Sequence, residues 1–485
     1  MGLLGILVGL GLLMTLAFRG WSILLLAPAA AMVAAAFSRE PLLAHWTQVF
    51  MVSAAGFVAQ FFPLFLLGAL FGKLMEDSGS VASIAQFMTQ KIGTARAVLA
   101  VVLAGALVTY GGVSLFVAFF VIAPMATALF RSAGVPRRLM PAAIALGTTT
   151  FTMSALPGTP SIQNAIPMPF FGTDPFAAPG LGLIASAVML GFGLWWLGRA
   201  EARARRRGEG FGPLTESDAE QLVDPDSGLR ERASTAQGFD PAELAHGQRA
   251  SALPPAWVAM APLAVVVVVN LVMSQFVLPR MDLSFLAEPR FGAVGLAAVG
   301  GVWSVASALF AAVVVTVLLN LRRLPALRAS MDAGANAAVL PVLSVASLVG
   351  FGAVVAALPA FETVRDWVLG IGGGPLVSLA LSTNILAALT GSASGGMTIA
   401  LDALGPTYRA LAAQHGIDLG LMHRVAVIGA GTLDSLPHNG AVVTLLAVCG
   451  TTHREAYLDV VMVGIVGAFA ALVVVILAGS LLGSF

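Results

Sequence analysis

The sequence predicts an all-α protein that crosses a membrane many times. Of its 485 residues, 58% are hydrophobic and only 10% are charged, and the mean hydropathy is +0.93. Soluble domains carry about 25% charged residues. Two long apolar segments, 139–170 and 419–450, are interrupted near their middle by proline and glycine. Such breaks survive at membrane depth only where protein or a water-filled cavity satisfies the freed backbone groups.

Composition also excludes several classes of protein. A net charge of +1 argues against a nucleic-acid partner. The single cysteine, Cys449, lies in an apolar run and rules out an intrachain disulfide. The longest polar stretch, 199–252, is too poor in apolar residues to form a catalytic domain. Because the six histidines are scattered and no G-x-x-x-x-G-K-[ST] loop is present, we expect no enzyme, metal, cofactor or primary pump.

The first half of the chain predicts three spans, a hairpin, a broken span and a further full span. The first apolar run lacks a basic flank and a cleavage site, so we interpret it as a retained helix and not a signal peptide. Glu76 and Asp77 are expected in a solvated connection. The segments in order are spans 2–18, 20–37 and 49–72, the polar segment 73–95, hairpin arms 96–109 and 113–130, the basic loop 131–138, the broken span 139–170 and the span 178–198.

A polar loop, 199–252, separates the two halves. It opens with five arginines between 199 and 207, which the positive-inside rule places in the cytoplasm. The rest is rich in polar residues, glycine and proline, as is typical of a flexible linker. The sequence therefore predicts one membrane repeat at 1–198 and a second at 253–485, joined by a cytoplasmic linker.

The second half repeats this plan. Its hairpin turns at 390–396, as the first hairpin turns at 109–114, and both turns are rich in glycine and hydroxyl side chains. Glycine allows a tight turn, and hydroxyls satisfy loose backbone groups at membrane depth. The segments in order are spans 254–279, 292–320 and 336–358, an amphipathic segment 361–370, hairpin arms 375–389 and 397–404, the broken span 419–450 and a last helix 457–482.

The break in the second half, 432–440, reads TLDSLPHNG and carries Asp434 and His438. Ionisable groups at membrane depth mark functional sites. The break in the first half, 152–160, reads TMSALPGTP. Paired interrupted segments of this kind point to the binding site of a secondary transporter. Five pairs of identical residues share one offset of 280, which is 432 − 152: Gly111 and Gly391, Ser114 and Ser394, Thr152 and Thr432, Leu156 and Leu436, and Pro157 and Pro437.

Loop charges predict that the halves have opposite orientations. The loop 131–138 carries three arginines and no acid, which indicates the cytoplasmic side. The corresponding loop, 408–418, carries Arg409 balanced by Asp418 and is predicted to be external. Inverted-topology repeats are characteristic of many secondary transporters.

With these residues in view, the chain resembles the gluconate permease (GntP) family of the ion transporter superfamily. The resemblance covers nearly the whole chain except 199–252. The second break is more similar to the branch of 3-hydroxybutyrate permeases than to typical gluconate carriers. The strings that carry the resemblance are LMEDSG at 74–79, TYGGVS at 109–114, LPGTPSIQNA at 156–165 and LPHNG at 436–440.

This resemblance implies proton-coupled uptake of sugar acids and small hydroxy acids across the bacterial inner membrane. It also implies a scaffold and a mobile transport domain that holds two hairpins and two broken helices.

Hydroxyl, amide and glycine residues at the tips and breaks are candidates to bind a small organic anion. Their alternative role is to cap helix ends, since backbone N–H and C=O groups inside a membrane need hydrogen-bond partners within the protein. Half-helix N-termini suit a carboxylate, and we expect no arginine near either break. The candidates are Thr109, Gly111, Gly112, Ser114, Thr152, Ser154, Gly158, Thr159, Gln163, Asn164, Ser392, Ser394, Gly395, Thr432, Ser435 and Asn439.

Asp434 is the first candidate for the coupled proton, because a lone carboxylate at membrane depth is costly unless it is protonated or paired. Its structural alternative is a hydrogen bond to His438. His438 is itself either a second proton group or a satisfied core histidine. Asp402 ranks after Asp434 because it lies near a helix end. A bound anion would favour protonation of Asp434, so substrate and proton should bind with positive coupling.

Several alternatives stay open. Asp434 and backbone carbonyls at the breaks suit sodium as well as a proton. A membrane enzyme acting on lipid-linked substrates is less favoured, because it would need clustered acids or metal ligands. A passive channel would not explain two equivalent broken spans. The expected partners are therefore a small organic anion, a proton or sodium, and the lipid bilayer. A homodimer is compatible with this plan, and the oligomeric state stays open.

Overall fold

The computed structural model describes residues 2–17, 19, 21–212, 250, 252–437 and 439–485. These residues form helices joined by short turns, with no strand among them. The all-α prediction is therefore confirmed. The linker 199–252 is described only at its two ends, and His438 lies outside the described residues.

The helices of the first half correspond to the predicted order. They are α1 (Gly2–Ala17), α2 (Ile23–Phe37), α3 (Leu42–Asp77), α4 (Ser80–Ile92), α5 (Thr94–Tyr110), α6 (Leu115–Ala133), α7 (Met140–Thr148), α8 (Phe151–Ser154), α9 (Ile162–Ala165), α10 (Pro167–Phe171) and α11 (Pro179–Arg206).

The helices of the second half follow the same order. They are α12 (Ala256–Arg280), α13 (Leu296–Asn320), α14 (Leu327–Ala357), α15 (Phe361–Leu369), α16 (Pro375–Thr390), α17 (Ala393–His415), α18 (Leu419–Thr432), α19 (Gly440–Val448) and α20 (His453–Leu482).

Seven helices in the described part of the chain are long and apolar enough to cross a membrane: α3, α6, α11, α12, α13, α14 and α20. Helices α4 and α5 form one more apolar unit, bent by 101° at Gly93. Helices α1 and α2 have 16 and 15 residues, so each is shorter than a standard span. The protein is thus a polytopic membrane protein.

The third predicted span is longer than expected and includes the start of the predicted polar segment 73–95. Helix α3 continues to Asp77, and Lys73, Glu76 and Asp77 are buried within it. Lys73 Nζ lies 3.4 Å from Glu76 Oε2 and 3.1 Å from Asp77 Oδ1. The expectation that Glu76 and Asp77 are solvated was wrong, because both acids are buried and share Lys73 as an ion-pair partner on the same helix face.

Both predicted interruptions are present. In the first broken span, helix ends at Ser154 and resumes at Ile162, across Pro157 and a left-handed Gly158 with φ +77°. In the second, helix ends at Thr432 and resumes at Gly440. Each restart has a capping side chain: Ser161 accepts from Asn164 N at 3.4 Å, and Asn439 accepts from Ala441 N at 2.7 Å. Such caps satisfy donors that the start of a helix leaves free.

Both hairpins turn where glycine was expected. Gly112 has φ +96° between α5 and α6, and Gly391 has φ +64° between α16 and α17. Side chains rarely adopt this backbone conformation. A Cβ on Gly396 would collide with the backbone of Ala387, so the arms α16 and α17 touch directly.

The hairpin arms and broken helices pack against one another and against the neighbouring spans. Helix α14 packs against α2, α3 and α17, and α3 also packs against α13. The hairpin arm α16 packs against α17 and α18, α5 packs against α7, and α11 packs against α20. The loop before α7 is tied to the last helix, because Arg138 Nη1 lies 2.7 Å from Asp459 Oδ2. Arg138 Nε lies 2.7 Å from Glu209, where the linker begins.

The opposite orientation of the repeats stays a prediction, and it can be tested by labelling. Ser132 and Gln414 are exposed in the two corresponding loops. We expect Ser132→Cys to react with a membrane-impermeant maleimide only from the cytoplasmic side, and Gln414→Cys only from the external side. Cys449→Ala removes the one native thiol and serves as the unlabelled control. Labelling of both positions from the same side would contradict inverted repeats.

Candidate functional site

A cavity of about 260 Å³ lies where the two hairpin tips and the two breaks converge. Eight of the sixteen predicted ligands line it. Four come from the first half and four from the second, so both halves contribute equally. They are Thr109, Gly112, Ser114, Gln163, Ser392, Ser394, Ser435 and Asn439.

Another part of the cavity lining is mostly apolar. It is formed by α3 through Leu64, Phe65, Gly68 and Ala69, and by α14 through Pro341, Ser344, Val345 and Leu348. Phe116 and Phe119 of α6 also line it. The sequence had marked α3 and α14 only as spans and α6 only as a hairpin arm. The lining thus has a polar part, made of side chains at the tips and breaks, and a mostly apolar part on α3, α6 and α14.

A direct hydrogen bond joins the second tip to the second break. Asn439 Nδ2 donates to Gly391 O at 2.8 Å, while its Oδ1 caps α19. Ser392 Oγ accepts from Gly395 N at 3.1 Å and lies 3.2 Å from Ser394 Oγ. These bonds hold the hydroxyl groups of the tip in a cavity that Asp434 also lines.

Asp434 is half-buried, and its carboxylate accepts a hydrogen bond from Ser435 Oγ at 3.1 Å. No lysine, arginine or histidine in the described part of the chain lies within ion-pair distance of it. The predicted contact with His438 lies outside the described residues. Asp402 is half-buried on α17 and does not line the cavity.

The other eight candidate ligands lie outside the cavity lining. Three of them use their hydroxyls on helical carbonyls: Thr152 bonds Gly147 O and Thr148 O at 3.1 Å, Ser154 bonds Thr150 O at 3.0 Å, and Thr432 bonds Ile428 O at 2.8 Å. This arrangement is the backbone-satisfying role weighed as the alternative. The remaining five are Gly111, Gly158, Thr159, Asn164 and Gly395.

Asn164 is held in a polar network that the sequence did not predict. Arg424 and His423, both fully buried on α18, bond its side chain at 3.3 and 3.2 Å. The expectation of no arginine near a break was wrong. The sequence did contain a signal for this network, because a basic residue lies inside the apolar run 419–431. Averaging the hydropathy over the whole run conceals that one charge.

Comparisons with known proteins agree with this architecture. Residues 1–170 match the GntP family permease model. The uncharacterized transporter YxjC of Bacillus subtilis (strain 168) is 40% identical over 482 residues, which cover 98% of each chain. The chain belongs to the GntP permease family. It is therefore a membrane transporter and not an enzyme.

A solved structure of MtrF from Neisseria gonorrhoeae, described as illuminating a class of antimetabolite efflux pumps, shares the fold of this GntP-family permease. The TM-score is 0.56 over 88% of this chain and 83% of that chain, at 13% identity. At this identity the likeness concerns the fold alone.

Replacing Ser394 tests whether the cavity is the binding site. Ser394→Leu places an apolar side chain against the hydroxyl cluster of the second tip, so we expect uptake to be lost while membrane insertion and yield are kept. Ser480→Leu, at an exposed position near the end of α20, is the control and should transport normally. Normal uptake by Ser394→Leu would show that substrate binds elsewhere.

Proposed function

We propose that this permease carries small hydroxy-carboxylates into the cell across the bacterial inner membrane, in symport with a proton. The observation that carries the proposal is the cavity between the tips and breaks, which combines uncharged hydrogen-bonding groups with one acid. A transporter's substrate and ion sites lie where broken helices meet, near the middle of the membrane.

The polar part of the cavity lining suits a carboxylate and a hydroxyl group. Ser394 and Ser392 supply hydroxyl donors, and the amide of Gln163 supplies a donor and an acceptor. Gln163 Oε1 is buried and has no hydrogen-bond partner among the described residues. A substrate hydroxyl that donates to this oxygen would satisfy it, because a buried acceptor left alone is costly.

The mostly apolar part of the cavity lining favours a short hydrocarbon group over a chain of hydroxyls. Leu64, Phe65, Phe116 and Leu348 offer no hydrogen bonds, and Ser344 is the one hydroxyl on the α14 wall. A sugar acid such as gluconate carries a hydroxyl on every carbon after the carboxylate, so some would be desolvated without partners. A 3-hydroxybutyrate-type substrate has one hydroxyl and one methyl group and fits both parts of the lining.

Asp434 is the proposed proton carrier. It lines the cavity and, within the described chain, has a hydroxyl partner but no cation. Protonation removes the repulsion between Asp434 and a substrate carboxylate, so each ligand favours the binding of the other. A site that holds both the proton and the substrate carries one negative charge, whereas a site that holds the substrate beside an ionised Asp434 carries two. The proton therefore lowers the cost of moving the substrate across the membrane. Sodium is the alternative ion, with Asp434 and nearby backbone carbonyls as its oxygen ligands.

Uptake into proteoliposomes tests the function directly. We expect saturable accumulation of radiolabelled 3-hydroxybutyrate under an inward proton gradient, weaker accumulation of gluconate, and none for the uncharged ester of 3-hydroxybutyrate. An equal sodium gradient without a pH difference is the control for the ion. Accumulation driven by sodium alone would show that sodium, and not the proton, is the coupled ion. If no hydroxy-carboxylate is taken up, the proposed function is refuted.

The variant Asp434→Asn separates binding from coupling. It keeps the shape and the hydrogen bonding of the side chain but cannot exchange a proton at working pH. We expect it to lose gradient-driven accumulation and its pH dependence, while exchange of labelled for unlabelled substrate continues. Asp402→Asn, which changes a half-buried acid outside the cavity, is the matched control. If Asp434→Asn accumulates substrate normally and Asp402→Asn does not, the proton is carried by Asp402.

A further inference from the structure

Arg424 is the largest side chain with no solvent exposure among the described residues. Its guanidinium donates to two neutral oxygens: Nη2 to Ala177 O at 2.6 Å, with Nε 3.3 Å from the same oxygen, and Nη1 to Asn164 Oδ1 at 3.3 Å. Asp174 acts on Arg424 only through space, since its oxygens accept from Phe176 N and Gln275 Nε2. A buried cation without a contact ion pair is costly to keep.

The amide of Asn164 has one possible orientation. Its Nδ2 donates to Thr159 O at 3.1 Å and to Pro175 O at 3.0 Å. Its Oδ1 faces the Arg424 guanidinium, which has only donors. Turning the amide over would place its oxygen against two carbonyls and its N–H groups against a cation. The network therefore holds the Asn164 side chain in a fixed position.

His423 completes the network and has a defined tautomer. Its Nε2 lies 3.2 Å from Asn164 Oδ1, an acceptor, so Nε2 carries a proton. Its Nδ1 lies 2.6 Å from Thr173 Oγ1 and accepts the hydroxyl proton when the ring is neutral. Arg424 and His423 on α18 thus bond segments on both sides of α10, at 164 and at 173–177.

The network ends at the cavity. Ser161 and Gln163, which precede Asn164 in the chain, both line the cavity, whereas Asn164 does not. Ser161 Oγ donates to Met153 O at 2.8 Å and accepts from Asn164 N, so the Asn164 backbone is tied to the far side of the break. The four-residue helix α9 is too short to hold these side chains by itself.

We propose that Arg424, together with His423, positions the substrate-binding groups of the first break through Asn164. Arg424 is a positioning residue and not a ligand: it is shielded from the cavity and fixes where Ser161 and Gln163 stand within it. This inference rests on the proposed function only for the identity of the substrate. The position of the first break is set by a basic residue of the second half.

Kinetics distinguish positioning from general support of the fold. We expect Asn164→Ala and Arg424→Met each to raise KM for 3-hydroxybutyrate by about tenfold or more, because small misplacements of binding groups have large effects. Arg424→Lys, which keeps the charge but cannot bond both oxygens at once, should raise KM as well. The KM of the double variant Asn164→Ala with Arg424→Met should not exceed the higher KM of the two single variants, because each substitution removes the same network.

Tyr408→Phe is the matched control. Tyr408 is fully buried, its hydroxyl lies 2.9 Å from Ser378 Oγ and 3.2 Å from Ser382 Oγ, and it does not line the cavity. Losing these bonds should lower thermal stability and yield but leave KM unchanged. If the Asn164 and Arg424 variants behave like Tyr408→Phe, with lower yield and unchanged KM, Arg424 only supports the fold and the inference is wrong.

A second measurement needs no substrate. In a Cys449→Ala background, which has no other cysteine, Gln163→Cys places a thiol at the cavity wall. We expect its labelling rate by a small hydrophilic maleimide to change several-fold when Arg424→Met is added, and to stay the same when Tyr408→Phe is added. An unchanged rate with Arg424→Met would overturn the inference, even if wild-type protein carries none of the hydroxy-carboxylates tested. Absence of wild-type uptake alone would refute only the proposed function.

Discussion

Backbone groups set free at the two breaks need partners inside the protein, because hydrocarbon supplies none. Neighbouring helices meet this need with long polar side chains. The Tyr110 hydroxyl donates to Pro157 O at 2.9 Å, and Asn270 Nδ2 donates to Gly158 O at 2.9 Å. In the second break, the Tyr457 hydroxyl donates to Ser435 O at 3.2 Å, and His453 Nε2 lies 2.9 Å from Pro437 O. These contacts allow unwound chain, and hence a polar cavity, within an apolar bundle.

The same constraint divides the polar residues at the breaks into two sets. Thr152, Ser154 and Thr432 return their hydroxyls to carbonyls of the preceding turn, as such side chains commonly do in helices. Ser435 and Gln163 line the cavity instead. The two sets contain similar residue types at similar distances from the prolines, so their division depends on helix rotation, which only the three-dimensional fold fixes.

This division explains what could be predicted from the sequence. Proline, glycine and the offset of 280 located both breaks and both tips, because these features act on the backbone locally. The sequence did not show that Asn164 turns away from the cavity, since that depends on Arg424, which is 260 residues away in the chain. The burial of Lys73 was missed for a related reason. Charged residues lower the local hydropathy, so a predicted span stops there even when the charges pair within the same helix and stay buried.

The two halves of the chain share the spacing of their tips and breaks but not their chemistry. At the offset of 280, Asp434 corresponds to Ser154 (434 − 280) and Arg424 to Ile144 (424 − 280), whereas Gln163 corresponds to Val443 (163 + 280). Both ionisable groups therefore belong to the second half, and the first break is neutral. Asp434 lines the cavity, whereas Arg424 is shielded from it and bonds Asn164, the residue after the cavity-lining Gln163. The proposed substrate anion would therefore meet neutral donors from the first break and an acid from the second, and protonation of that acid removes the repulsion between the two carboxylates. A cavity to which both halves contribute equally is thus chemically asymmetric.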